Sequence, residues 1–160
     1  MVSGPVAPHS PGGPPVTTEL FVRMLHFVGI LILTGALAVQ NACLRPSLKP
    51  EELRRLARVD ALYGASALLV LGAGLAMWLA VGKPKEFYSG NPLFHIKLTL
   101  FVVIFLLSLA PTMFFLKHRG AVGKAVAVPA RIRVIKRVEL ALLVFLPLLA
   151  VLVARGVGLS

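Results

Sequence analysis

One cysteine, one tryptophan and six acidic side chains are all that these 160 residues contain of three common groups. A single thiol, Cys43, excludes an intramolecular disulfide and any cluster site built on several thiolates. Charged residues are only 14% of the chain, where an ordinary soluble domain carries about a quarter. Apolar residues reach 58% and the mean hydropathy is +0.88. A globule this small cannot hide so much apolar surface, which excludes a soluble enzyme and a disordered chain. There is no H-x-x-x-H pair, no nucleophile set beside a base and no phosphate loop. Acid is also scarce relative to base, with 17 Lys+Arg against 6 Asp+Glu and a formal charge of +11. On a soluble chain that balance points to nucleic acid. Here the bases gather in loops between apolar runs, so control of membrane topology is the expectation and nucleic acid is not a partner.

What is present is four long apolar runs, at about 20–42, 60–81, 93–116 and 138–154. A helix needs roughly 20 residues to cross about 30 Å of hydrocarbon, and only helices and closed barrels satisfy every backbone group there. The short alternating segments of barrel strands are missing. The chain is therefore expected to be all-α, an integral membrane four-helix bundle forming one domain over 18–157. Residues 1–17 precede it as a flexible tail rich in proline and glycine. No lysine or arginine precedes the first run until Arg23, unlike a cleaved signal peptide, so that run is expected to stay as a true span. Arg45-Pro46, Lys83-Pro84 and Asn91-Pro92 punctuate the helices. Pro50 with Glu51 and Glu52 predicts a helical extension ahead of the second span, over 50–59. Residues 129–137 alternate basic and apolar side chains and are expected to anchor to anionic headgroups.

Loop charge orients the bundle. The 44–59 loop carries Arg45, Lys49, Arg54, Arg55 and Arg58, and the 117–137 loop carries Lys117, Arg119, Lys124, Arg131, Arg133, Lys136 and Arg137. Against these twelve stand Lys83, Lys85 and Arg155 on the other side. The expectation is a multi-pass protein of the bacterial inner membrane, both basic loops cytoplasmic and both termini outside. Trp78 and Tyr88 fit an outer aromatic belt.

Ionisable groups at membrane depth are costly and mark function by default. Arg23 and His26 lie roughly 5 to 9 Å below the outer end of span 1, at 1.5 Å per residue, and Lys97 lies at similar depth on span 3. Asp60 and Glu139 share the inner layer. Helical phase places Arg23, His26, Ile30, Thr34 and Leu37 on one stripe, and Lys97, Phe101, Ile104, Ser108 and Pro111 on another. On span 2, Asp60, Tyr63, Gly64, Ala67, Leu71 and Gly74 form a stripe whose small residues suit close helix approach. Span 4 offers Glu139, Leu142, Leu146 and Ala150. His95 is two positions from Lys97, on the opposite side of the helix, and is expected at the interface. The expected site is therefore His26, Lys97 and Arg23 in the outer half, with Asp60, Tyr63, Ser108 and Glu139 as polar support.

R-x-x-H (Arg23, His26), D-x-x-Y-G (Asp60, Tyr63, Gly64), N-x-x-F-x-x-K (Asn91, Phe94, Lys97), S-x-x-P-T (Ser108, Pro111, Thr112), Glu139 and a closing A-R-G (Ala154, Arg155, Gly156) follow one another in order. That series resembles a family of small bacterial four-helix integral membrane proteins described as a domain of unknown function. More distantly, the layout is similar to the membrane-bound, oxygen-independent protoporphyrinogen oxidase family and to CopD-type copper-resistance membrane domains. The former resemblance implies haem association, with His26 and Lys97 at the matching positions; where a second span-1 histidine would stand, this chain has Gln40 and Asn41.

Three function classes remain. One is a haem- or quinone-associated redox protein, a membrane oxidoreductase in which His26 ligates the iron of haem b while Arg23 and Lys97 pair with propionates or a quinone oxygen. A second is an oligomeric proton or ion channel or transporter, a homo-oligomer in the lipid membrane lined by polar stripes. The third is a non-catalytic subunit that positions another membrane protein. On the redox reading, the purified protein shows a Soret band that His26→Ala removes, and His26→Ala and Lys97→Ala lose function together while His95→Ala is mild. A featureless visible spectrum after haem-replete expression overturns it.

Overall fold

The structure, a computed structural model, describes residues 16–81 and 85–157. Most of the expected tail, residues 1–15, lies outside that range, as does the Lys83-Pro84 punctuation. Helix α1 runs Val16–Cys43, β1 is Ser47–Leu48, and α2 is Pro50–Ala76, continued by one π-helical turn at Met77–Val81. A short α3 (Lys85–Ser89) leads to α4 (Pro92–His118); β2 is Val126–Ala127 and α5 is Ala130–Ala154. The four long helices are each long and apolar enough to cross a membrane. The fold is an all-α membrane bundle.

Local chemistry sets the helix ends. At α2, Pro50 occupies the first turn and the Glu52 carboxylate accepts from the Lys49 backbone N–H at 2.8 Å, so the 50–59 extension is continuous with the span. At α4, Asn91 Oδ1 accepts from Leu93 N at 2.9 Å while its Nδ2 donates to Val157 O at 3.0 Å, tying the far end of α5 to the start of α4. Helix α5 stops at Gly156, whose φ of 73° closes the last turn through Val157 N to Leu152 O. Its start differs from expectation: α5 begins at Ala130, not 138, because residues 130–137 propagate the same helix and place Ile132 and Lys136 inward.

Helix α1 packs chiefly on α2 and α4 on α5, and contacts of α2 with α4 and α1 with α5 close the ring. Successive spans are thus antiparallel neighbours. Strands β1 and β2 pair antiparallel, Ser47 opposite Ala127 and Leu48 opposite Val126, which joins the two basic loops at one end of the bundle. This end is called the basic end below, and the other, where α1 begins and α5 finishes, the terminal end.

Two apolar cores stack along the bundle. Leu33, Leu37, Tyr63, Ala67, Ile104 and Leu143 fill its middle, and Leu48, Leu53, Leu56, Phe115, Val128 and Ile132 plug the basic end. Outside, Leu31, Leu68, Leu106 and Val144 are exposed on the helix flanks, as hydrocarbon-facing side chains are. Two of the expected stripes are rotated. The buried face of α1 is Gly29, Leu33, Ala36, Leu37 and Gln40, with Thr34 exposed. The buried face of α5 is Ile132, Lys136, Glu139 and Leu143, with Leu142 at its margin. On α4 the expected Ile104, Ser108 and Pro111 are all buried.

Gly29 marks a close α1–α2 approach, since a Cβ there would stand 2.8 Å from Val70 Cγ2. Val70 is β-branched and stiff. Gly29→Ala is expected to destabilise the bundle by about 1–3 kcal/mol through overpacking. At Gly64, where a Cβ meets nothing within 4 Å, the same change should be near neutral. Unfolding in mixed detergent micelles, followed by circular dichroism, separates the two variants.

Candidate functional site

The residue around which the polar interior is organised is Lys136. Helix α5 carries it one turn ahead of Glu139 and one turn after Ile132, so all three share the buried face. Its side chain has no exposure at all. The ammonium Nζ lies 3.2 Å from Glu139 Oε2 and 3.4 Å from Asp60 Oδ1, and 4.5 Å from the centre of the Tyr63 ring. Helix α2 supplies Asp60 and Tyr63 from one face, three residues apart. Helix α1 supplies Gln40, whose Nε2 donates to Asp60 Oδ1 at 3.1 Å. Beside it, Asn41 Nδ2 donates to the Lys136 carbonyl at 3.0 Å and to Leu37 O at 2.9 Å, which holds α1 against α5. The Tyr63 hydroxyl faces the Glu139 carboxylate. Two acceptors of the cluster, Gln40 Oε1 and Glu139 Oε1, are buried without a partner; elsewhere on α5 the donor Arg133 Nε is also buried unpartnered.

The cluster thus has one cation, two carboxylates, an amide and a phenol, contributed by three helices. It sits between the two apolar cores, shut off from either end of the bundle. Taking an ammonium and two carboxylates out of water costs several kcal/mol per ion, offset only where partners are well placed.

The expected support residues Asp60, Tyr63 and Glu139 are brought together here. Ser108 is buried but donates to Phe105 O within its own helix at 2.7 Å, apart from the cluster. Lys136 and Gln40 were not among the expected site residues. Extending the helical phase of Glu139 back through 129–137 is the signal that finds Lys136, because it alone of that basic run falls on the buried face. Removing Lys136 from the loop tally leaves eleven bases against three, so the topology expectation does not depend on it.

The three residues expected in the other half are less unified. His26 is half-buried; its Nδ1–H donates to Val70 O on α2 at 2.9 Å, leaving Nε2 free to accept. Gly74 makes room for it, since a Cβ there would stand 3.3 Å from His26 Cε1. Lys97 is half-buried on α4 within electrostatic range of His26 and has no ion pair among the described residues. Arg23 is exposed and pairs with Glu19 one turn earlier on its own helix. His95 is exposed, its Nε2 on Ser89 O at 2.9 Å. Trp78 packs edge-on against Phe94, centroids 5.0 Å apart, beside Tyr88. Among the described residues no group of three or more His, Cys, Asp or Glu is arranged to hold a metal ion.

A ring of four spans around a sealed ionic cluster defines a polytopic helical membrane protein. The model of a family of predicted membrane proteins, DUF2214, matches residues 18–158, and the chain belongs to that family, whose function is unknown. No curated protein and no solved structure matches it.

Removing one member of a buried ion pair strands the others. Lys136→Met is expected to destabilise the bundle by about 3–5 kcal/mol, with Asp60→Asn in the same chain recovering part of the loss. The exposed neighbour Arg137→Met should stay within roughly 0.5 kcal/mol of the parent. Detergent unfolding midpoints of the four proteins check the order.

Proposed function

We propose that this protein is a membrane proton carrier, with the Asp60–Lys136–Glu139 cluster as its exchange site. The observation that carries the reading is an ammonium buried between two carboxylates inside a membrane bundle, the kind of group that marks proton relays and ion pathways. The enclosure favours a carrier that opens to one side at a time over a standing pore. In the middle of the bundle the void beside Tyr63, lined also by Leu33, Ala67, Phe101, Ile104 and Leu143, is about 10 Å³. That is at the lower limit for one water, and a water there would have a single polar partner where it needs 2–4.

His26 and Lys97 form a second polar layer. Tyr63 and Val70, whose carbonyl His26 bonds, are seven residues apart on α2, about 10 Å along the axis. In a carrier the cluster is loaded from the basic end and exchanges with this second layer when the middle core parts. The charge of the basic loops supports a cytoplasmic orientation for that end.

Reconstitution into liposomes holding a pH-sensitive dye, with an imposed potassium diffusion potential, tests the reading. The protein should move protons faster than protein-free vesicles, and Glu139→Gln should return the rate to theirs. Equal rates with and without the protein at both polarities of the potential would overturn it.

A further inference from the structure

The cluster carries formal charges of −1 on Asp60, −1 on Glu139 and +1 on Lys136, a net −1 among side chains with almost no exposed surface. An isolated charge in such a place is neutralised rather than tolerated. The orphaned atoms on its two fully buried side chains, Gln40 Oε1 and Glu139 Oε1, are both acceptors. What the core of the cluster lacks is therefore a hydrogen-bond donor and one positive charge together. A proton supplies both. A metal cation is the poorer occupant, because the Lys136 ammonium already takes Asp60 Oδ1 and Glu139 Oε2 and would repel a second cation.

The two carboxylates differ in their donors. Asp60 Oδ1 receives the Gln40 amide at 3.1 Å and the Lys136 ammonium at 3.4 Å. Glu139 has Lys136 on Oε2 at 3.2 Å and the Tyr63 hydroxyl beside its carboxylate, yet its Oε1 has no partner. Donors aimed at a carboxylate hold it in the charged form. We propose that the cluster is a proton-binding site in which Glu139 Oε1 carries the proton, while Asp60 remains the anion paired with Lys136. The step is the addition of H⁺ to the Glu139 carboxylate, giving a neutral acid and taking the cluster from −1 to 0. The charged and titratable groups acting on Glu139 are Lys136 on its own helix and Tyr63 and Asp60 on α2. Helix α1 brings the neutral Gln40 and Asn41. The assignment rests on the carrier reading above and names the group that holds its cargo.

Infrared spectroscopy of the full chain in lipid nanodiscs at neutral pH tests it. The protein should show the C=O stretch of a protonated carboxylic acid, shifting in D₂O. It should shift again when the protein is labelled with ¹³C-carboxyl glutamate, a readout that needs no variant. The band should vanish in Glu139→Gln, and in Asp60→Asn too, where an ionised Glu139 and the Lys136 ammonium already balance. Glutamine resembles the neutral acid, so Glu139→Gln should keep the parent unfolding midpoint while Asp60→Asn lowers it. Absence of the band, or a band unmoved by labelled glutamate, overturns the assignment. A glutamate band without proton flux in liposomes upholds the site and removes the carrier. Flux without the band removes the site and leaves the carrier.

Discussion

An ammonium group with no access to water constrains every helix that touches it. Buried with no exposed surface, Lys136 cannot borrow hydration, so its partners must arrive at hydrogen-bond range. Glu139 comes from the same helix by the three-residue spacing, and Asp60 comes from α2. Gln40 is then drawn in from α1 to serve Asp60, and Asn41 reaches the Lys136 carbonyl. Each residue of slip rotates a helix by about 100°, so these contacts set the rotation of α1, α2 and α5 far more sharply than apolar packing does. Leucine against leucine is nearly as good as leucine against lipid, whereas an unpaired charge has no acceptable alternative.

The apolar parts of the structure make sense as insulation for that cluster. The middle core around Leu37, Ala67 and Ile104 separates it from His26 and Lys97, and the Leu53–Phe115–Ile132 core closes the basic end. Pairing of β1 with β2 fastens the two basic loops over this second core, and Val128 N reaches back to Pro46 O at 2.8 Å. Close helix approach at Gly29 lets α1 and α2 lie near enough for Gln40 to meet Asp60 further along the same pair. Packing, ion pairing and enclosure therefore depend on one another.

Much of this was legible from residues alone. Apolar runs located the spans, Pro50 and Asn91-Pro92 marked helix starts, and a three-residue spacing put Asp60 and Tyr63 on one face. The α4 face of Ile104, Ser108 and Pro111 also followed from phase. Legibility failed where one charge had to be told from its neighbours. Within 129–137 the alternation of basic and apolar residues suggested headgroup contacts for all of them, yet Lys136 turns inward while Arg131 and Arg137 stay exposed. On α1 the pair Arg23 and His26 defined a stripe, but Arg23 satisfies itself with Glu19 and the buried face turns toward Gly29 and Gln40. Gln40 carries no charge and so gave no warning of its place in the ionic cluster.

The sequence by itself determined that four helices cross a membrane, that bases gather at one end, and that carboxylates sit at depth. Those properties follow from hydropathy and charge, which are sums over local residues. Only the tertiary structure decided that Lys136 is the cation those carboxylates share, and that Gln40 completes the set. Partnership in a bundle depends on the relative rotation and height of separate helices, and only the packed helices specify that.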